Sequence, residues 1–427
     1  MSRRNTEFLY LLMVAVMATL AYVAVYAARF KEIGRTSLTY AGIFVVVFLV
    51  LHLVVRFRLA QADPYLLPLT ALLSVVGLAE IYRLDPDLAL KQGRWLIVGA
   101  VLFVLTVLVV RDHLRLDGYK YIIGAVGLAL LAITIVFGSE VNGARLWLHV
   151  GGVSIQPSEF AKIAIVIFLA GYLNDKKEML SIPTARVFRI PIPAPKYFGP
   201  LLLMWGLSLL FLATFIAILY MATARLVYVV VGGALFAAGA ALAVTYVSHI
   251  HDRFAIWLDP WQDPQGKGFQ LLQSLYAIAD GGMVGAGFGR GYLLHPDKTP
   301  VVPDLPTDFI FAAVANELGL AGAVGLVLCY LLFCWRGFQI AVWATDGFSK
   351  LLAAGLATIF GLQTFIIIGG VTRLIPLTGI TLPFVSYGGS SITANLMLVA
   401  LLLMVSHRTN VVREGSDLER RRLAERG

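Results

Sequence analysis

Long apolar segments separated by short polar stretches dominate this chain. They are residues 8–28, 38–55, 65–82, 95–110, 120–137, 159–173, 199–223, 226–248, 308–335, 351–371 and 385–406. A helix needs about 20 mostly apolar residues to cross a hydrocarbon layer about 30 Å thick. The segments are continuous rather than alternating, which favours helices over barrel strands as the spanning elements. The pattern therefore predicts an all-α, polytopic transmembrane helix bundle of about 11–12 membrane segments.

Composition and charge narrow the class of protein further. The chain has 427 residues, of which 59% are hydrophobic and 14% charged, whereas soluble domains carry about 25% charged residues. These values exclude a soluble globular protein, and the apolar content also excludes a disordered one. The net charge of +9 comes from basic residues scattered through loops and the tail. It is typical of topology determinants and predicts no nucleic-acid partner.

Lys and Arg in the short loops predict the orientation, because the positive side of a membrane protein is cytoplasmic. Both termini are predicted to be cytoplasmic, with a basic tail over 407–427, and 249–307 is predicted to be one large outer loop of a single membrane domain, 1–427. The charge pattern requires 199–223 to begin and end inside, although two spans need about 40 residues. Three explanations of this segment remain open: a re-entrant hairpin, a compressed remnant of two helices, or an incorrect orientation for one half of the chain. We favour the second explanation.

Ionisable residues at membrane depth are costly, so each one is a functional candidate. Glu159 and Lys162 lie three residues apart, which places them on one helix face as an ion pair directed into the bundle. They follow a predicted outer loop that carries Arg145. The alternative is a purely structural pair that fixes helix packing.

Asp308 is predicted at the outer end of the helix that follows the 249–307 segment. It could cap that helix by accepting a backbone N–H. Alternatively, it is a carboxylate at the membrane surface that acts as a base on a lipid-borne substrate. Glu317 lies nine residues further on, about 180° around a straight helix, and is therefore not expected to share a site with Asp308.

Small residues lead into the last apolar segment, and several cations lie in predicted outer loops. Small residues allow close approach of another helix or of ligand phosphates, and helix packing is the commoner explanation. The small residues here are Ser386, Gly388, Gly389 and Ser390. Guanidinium groups match phosphate oxygens, so the outer-loop cations are candidates for holding a pyrophosphate, although each alone fits a solvated surface charge. These cations are Arg253, Lys267, Arg290, Lys298 and Arg373.

Five motifs together carry a family resemblance. They are Asn142–Trp147, Gln156–Lys162, Gly268–Ser274, Thr307–Phe311 and Gly379–Ser391, in this order. With these motifs the chain resembles, over about residues 120–408, the SEDS family (shape, elongation, division and sporulation) of RodA, FtsW and SpoVE-like proteins. Its opening residues and two extra N-terminal spans are similar to the actinobacterial RodA-like branch.

The resemblance implies a peptidoglycan glycosyltransferase in the bacterial cytoplasmic membrane. Such an enzyme polymerises lipid II at the outer face, for cell elongation or division, and works with a class B penicillin-binding protein. The resemblance also implies that Asp308 is the base of an inverting transfer. Basic side chains, with or without a divalent cation such as Mg²⁺ or Mn²⁺, would offset the charge of the leaving pyrophosphate.

Further residues are matched by the same motifs. Glu159 and Lys162 correspond to the family's intramembrane pair. The other residues that the resemblance and the charge pattern place in substrate binding are Arg145, Arg253, Gln270, Gln273, Ser274, Arg373, Ser386, Gly388, Gly389 and Ser390.

One departure from the family pattern falls where the charge count fails. The family's Gln-x-Asp-Leu-Gly element is absent from the 199–223 segment. We therefore expect one helix-to-helix turn to be missing, and catalytic competence is in question. A lipid II flippase and a catalytically impaired scaffold for a penicillin-binding protein are the alternative functions.

Overall fold

The computed structural model describes residues 2–30, 35–141, 144–181, 185–187, 190–192, 209–295 and 299–424. Each predicted apolar segment overlaps a helix, although the segments 308–335 and 385–406 begin before their helices, which start at Ile310 and Gly389. The all-α prediction is therefore confirmed.

Fourteen α-helices follow one another in the described ranges. In chain order they are α1 Arg3–Phe30, α2 Arg35–Arg58, α3 Leu66–Leu84, α4 Pro86–Val110, α5 Arg115–Gly118, α6 Lys120–Phe137, α7 Pro157–Ser181, α8 Leu209–Thr223, α9 Leu226–Tyr246, α10 Ser248–Leu258, α11 Phe269–Asp280, α12 Ile310–Trp343, α13 Gly347–Val371 and α14 Gly389–Ala424.

Short antiparallel strands occupy two of the connections. The first sheet has the order β1 (Ser139–Val141), β2 (Ala144–Val150) and β3 (Val153–Ile155). Gly151 and Gly152 join β2 to β3 with φ of 57° and 79°, the left-handed pair that a two-residue hairpin turn requires. A second hairpin pairs β4 (Ala185–Val187) with β5 (Ile190–Ile192). The strands are too short to span a membrane.

Nine helices of the described chain are long and apolar enough to cross a membrane. This finding confirms a multi-pass membrane protein. α8 has 15 residues, which corresponds to about 22 Å and falls short of the hydrocarbon thickness. Residues 199–208 of the same predicted segment lie outside the described ranges. The missing turn therefore stays a prediction.

Helix ends differ from the predicted ones wherever a helix continues in polar sequence. α12 and α14 continue to Trp343 and Ala424. An apolar segment shows which residues lie in the membrane, but it does not show where the hydrogen bonding of the helix backbone ends. The 249–307 segment is also more helical than the loop we predicted, since it contains most of α10 and all of α11. α11 is amphipathic and buries Leu271, Leu272 and Ala277, which stabilises a helix shorter than a span.

The chain divides into two compact units. The first comprises Met1–Val109, Asp252–Arg336 and Gln363–Val411. The second comprises Val110–His251, Gly337–Leu362 and Val412–Gly427. In the second unit, α6 and α7 pack closely because Gly124 lies against the ring of Phe168.

Candidate active site

Asp308, in the first unit, lies in a tight turn immediately before α12. Its backbone N–H donates to the Asp304 carbonyl over 3.0 Å, and Thr307 N–H donates to the same carbonyl over 3.1 Å. Phe309 and Ile310, which follow, are fully buried. Among the described residues no N–H donates to the Asp308 carboxylate, so the structure does not support the helix-capping alternative.

Arg253 and Gly379 are the neighbours of this carboxylate. A Cβ built on Gly379 would lie 3.4 Å from Asp308 Oδ2 and 3.4 Å from Arg253 Nη2. Asp308 Oδ2 and Arg253 Nη2 are therefore separated by at most twice 3.4 Å. Arg253 Nη1 donates to the Leu377 carbonyl over 3.1 Å, and Gly379 has a φ of +68°, which favours glycine. The guanidinium and the carboxylate therefore flank one stretch of bare backbone.

The surroundings of Asp308 change its acidity. Its pKa is raised to about 6, chiefly by burial and also by the neighbouring Asp304 carboxylate, whereas Arg253 lowers the pKa. Desolvation and like charge both disfavour the ionised form, and a nearby cation favours it. At neutral pH Asp308 is therefore ionised, yet it is a stronger base than an exposed aspartate.

α11 carries three of the predicted substrate-binding residues. Gln270 Nε2 donates to the Pro303 carbonyl over 2.9 Å and to Asp304 Oδ2 over 3.2 Å, so it holds the turn that contains Asp308. Ser274 is fully buried, and its hydroxyl has no hydrogen-bond partner within the described ranges. Gln273 is half-buried on the same helix. Substrate binding by these residues stays a prediction.

The small residues before α14 are closely packed. Ser386 Oγ accepts from Leu382 N–H over 2.9 Å, and Ser390 is buried. Gln92 on α4 donates to the Ser386 carbonyl over 3.2 Å and accepts from Gly388 N–H over 3.1 Å. This geometry favours the packing explanation over phosphate binding.

Two further contacts position the same loop. A Cβ on Gly389 would lie 2.2 Å from the Trp95 ring, so the indole packs directly on the backbone. Tyr387 N–H donates to the Pro306 carbonyl over 2.8 Å. The loop thus reaches the turn before Asp308. The sequence did not indicate Gln92 or Trp95, because they contact residues almost 300 positions away and Gln92 precedes the apolar run 95–110.

Arg373 follows α13 in the chain, and its side chain contacts the C-terminal end of α10. Its Nε donates to the Trp257 carbonyl over 2.9 Å, its Nη2 donates to the Leu258 carbonyl, and its guanidinium stacks over the Trp261 ring at 4.9 Å. A cation at a helix C-terminus is stabilising. These contacts give Arg373 a structural role, and its predicted contact with substrate stays a prediction.

The second unit contains the other predicted residues. Lys162 Nζ donates to Glu159 Oε2 over 2.7 Å, and both side chains are buried near the start of α7, so the predicted intrahelical pair is confirmed. Its structural and functional interpretations both stay open. Arg145 belongs to β2, and its side chain lies outside the described part of the chain.

A comparison with protein-family models matches residues 57–411 to the model FtsW/RodA/SpoVE, described as "Cell cycle protein". The chain belongs to the FtsW/RodA/SpoVE family. It is 40% identical to peptidoglycan glycosyltransferase RodA of Mycobacterium tuberculosis, over 95% of this chain and 91% of that protein. It is 34% identical to stage V sporulation protein E of Bacillus subtilis, over 81% and 96%. The predicted SEDS family and RodA-like branch are thus confirmed.

Solved structures of FtsW/RodA/SpoVE proteins have the same fold. One chain of a peptidoglycan synthase complex superposes with a TM-score of 0.66 at 29% identity, over 82% of this chain and 98% of that chain. The crystal structure of RodA from Thermus thermophilus gives 0.58 at 28% identity, over 82% and 97%. The predicted SEDS helix bundle is therefore confirmed.

This FtsW/RodA/SpoVE chain offers few metal ligands. No group of three or more His, Cys, Asp or Glu side chains in the described ranges is arranged to hold a metal ion. Asp304 and Asp308 alone would be a sparse ligand set for Mg²⁺ or Mn²⁺. The donor set of the described residues does not fit a built metal centre.

Proposed function

We propose that this chain is a peptidoglycan glycosyltransferase that polymerises lipid II at the outer face of the bacterial cytoplasmic membrane. The observation that carries the proposal is the half-buried carboxylate of Asp308. Its pKa is raised, and no N–H of the described residues donates to it. It lies beside Arg253 and the open backbone of Gly379. Relatives named as peptidoglycan glycosyltransferases support the reaction class.

In the proposed reaction Asp308 accepts the proton of the acceptor sugar's 4-hydroxyl group. The oxygen attacks the anomeric carbon of the donor as the bond from that carbon to the pyrophosphate oxygen breaks. The electron pair leaves with undecaprenyl pyrophosphate, and the configuration inverts. One carboxylate is enough, because pyrophosphate departs without being protonated. Arg253 stabilises the negative charge that develops on the leaving group.

The partner and the orientation belong to the same proposal. A class B penicillin-binding protein would crosslink the product, and the similarity to a chain of a peptidoglycan synthase complex supports such a pairing. With both termini cytoplasmic, Asp308 lies on the outer side. Elongation is the favoured role, because the mycobacterial relatives are RodA proteins.

The test of the function is glycan synthesis from labelled lipid II in proteoliposomes, with and without the cognate penicillin-binding protein. We expect polymeric product from this chain. Lipid II translocation without polymerisation would support a flippase instead, and either result separates the enzyme from a transporter.

A second candidate, the impaired scaffold, is favoured by one observation: the sequence of the 199–223 segment lacks the Gln-x-Asp-Leu-Gly element that the family resemblance implies. A version carrying a restored Gln-x-Asp-Leu-Gly turn tests it. Product only from the restored version would show that this chain is catalytically impaired, as the scaffold role requires.

The rate of polymerisation is expected to rise with pH through about 6. The base must be ionised, and the Asp308 pKa is raised to about 6, so activity is lost below that pH and complete above it. Values of kcat/KM from initial rates at subsaturating lipid II, between about pH 5 and 8, measure the midpoint of the substrate-free enzyme. A midpoint near 4, the value of an exposed aspartate, would contradict the assignment.

Arg253→Gln is expected to move that midpoint to higher pH. The guanidinium favours ionised Asp308, so its removal raises the Asp308 pKa and reduces the rate most strongly at acidic pH. The same pH series measures the change. Arg94→Gln, which removes an exposed charge on α4, is the matched control. An unchanged or lower midpoint in Arg253→Gln would show that Arg253 does not act on Asp308.

A further inference from the structure

Glu317 on α12 belongs to a buried network in the first unit that the proposed reaction does not use. Its carboxylate is fully buried and accepts three hydrogen bonds: Oε2 from Gly289 N–H over 2.6 Å, and Oε1 from Arg83 Nε over 3.0 Å and Gly291 N–H over 3.3 Å. Arg83 Nη2 also donates to the Gly291 carbonyl over 2.8 Å. Arg83 thus joins Glu317 to the glycine-rich segment 281–291 with two nitrogens.

This segment attaches to a break in α12. Gly319 has φ 67° and ψ −169°, which interrupts the helical ladder and leaves backbone groups on either side without helical partners. The segment supplies the missing partners through four backbone hydrogen bonds. These are Ala286 N–H to Asn316 O at 3.0 Å, Gly287 N–H to Glu317 O at 3.0 Å, Leu320 N–H to Gly282 O at 2.9 Å and Ala321 N–H to Met283 O at 3.1 Å.

α11 connects this attachment to the turn of Asp308. Its C-terminal end is followed directly by the segment 281–291. In the last turns of α11, the Ala277 carbonyl accepts from Asn316 Nδ2 of α12 over 2.8 Å. Near its N-terminal end, Gln270 contacts Asp304, the residue whose carbonyl accepts from Asp308 N–H. A helix of 12 residues is about 18 Å long. Because backbone hydrogen bonds make a helix of this length stiff, we expect a displacement at one end to move the other.

A second buried acidic side chain, Glu80, lies on α3 one helical turn before Arg83 and has two carboxyl oxygens without a hydrogen-bond partner in the described chain. Within the described chain, Arg83 makes its ion pair with Glu317 and not with Glu80. Removing one partner of a buried pair is strongly destabilising locally.

We propose that Arg83 and Glu317 are positioning residues for the reaction, acting through α11 on Asp308. They contact no reacting atom in this arrangement. Their paired hydrogen bonds hold the segment 281–291 on α12, α11 keeps Gln270 on Asp304, and the turn presents Asp308 beside Arg253. This inference rests on the proposed function for its catalytic part only.

The structural part is tested by hydrogen–deuterium exchange of the full-length protein in nanodiscs, without lipid II. Arg83→Gln and Glu317→Gln are expected to speed amide exchange in residues 281–291 about tenfold, and Arg94→Gln is expected to leave it unchanged. Arg83→Lys, which keeps the charge but loses the planar fork, should give an intermediate value. Unchanged exchange in Arg83→Gln would overturn the proposal.

The catalytic part is tested on the same variants by polymerisation of lipid II. We expect kcat to fall about tenfold with KM nearly unchanged, and the midpoint of the pH profile to move away from about 6 because the surroundings of Asp308 change. A variant that only folds less well would lower the rate without moving the midpoint. Faster exchange with unchanged kcat and midpoint would overturn the positioning role.

The two failures are distinguishable. If the wild-type chain makes no glycan, the proposed function fails, whereas the exchange result still decides whether Arg83 and Glu317 hold the segment. If the wild-type chain makes glycan and exchange is unchanged in both variants, the positioning proposal alone fails.

Discussion

Asp308→Asn is expected to reduce glycan synthesis from lipid II by about 10²–10⁴-fold, the usual contribution of a general base. Asn has nearly the same shape as Asp but cannot accept the proton. The turn is held by backbone hydrogen bonds to the Asp304 carbonyl, which do not involve the Asp308 side chain. The fold should therefore survive.

Two measurements separate lost chemistry from lost structure. Melting temperature in detergent should match that of the wild type, since a buried carboxyl that costs solvation energy is replaced by a neutral amide. Asp87→Asn is the matched control, because it makes the same change at an exposed carboxylate on α4 and should retain most activity. Unimpaired synthesis by Asp308→Asn would remove Asp308 from the role of base.

Gly77→Ala is expected to give a large loss of stability. A Cβ at this position on α3 would lie 2.5 Å from the Cα and carbonyl oxygen of Val385 and 2.7 Å from the carbonyl oxygen of Phe384. These are backbone atoms in a buried loop and cannot rotate away. Overpacking of this kind costs about 1–3 kcal/mol.

Gly93→Ala on α4 is the matched control for that experiment, because no atom lies within 4 Å of its Cβ position. Alanine is favoured over glycine in a helix by about 1 kcal/mol, so this variant should be as stable as the wild type or slightly more so. Thermal unfolding of both variants in the same detergent measures the difference. A Gly77→Ala protein with an unchanged melting temperature would show that α3 and the loop before α14 are not in close contact.

Much of the fold could be predicted, because a membrane imposes a simple pattern on each helix. The apolar segments lie where the helices are. The helices α10 and α11 were missed within 249–307 because they are too short and too amphipathic for a hydropathy signal. The break at Gly319 was missed as well, since a single glycine in an apolar run does not reveal its φ.

The candidate site was predictable only where one short motif carries it. Asp308 and the Glu159–Lys162 pair were predicted from ionisable residues next to apolar segments. Arg83 and Gly379 were not predicted as parts of a site, because their partners Glu317 and Asp308 are distant in sequence. The straight-helix argument that separated Glu317 from Asp308 gave no indication of the backbone that Glu317 binds.

The way in which residues 281–291 are attached has a consequence for the evolution of this loop. Its contacts with α12 are made by backbone amides and carbonyls and by the Arg83 and Glu317 side chains. Met283 and Val284, in contrast, are 70% and 81% exposed, and their side chains contribute little to holding the segment. Mutations at these two positions can therefore accumulate at small thermodynamic cost, and a lineage can reshape this surface while the attachment beneath it persists.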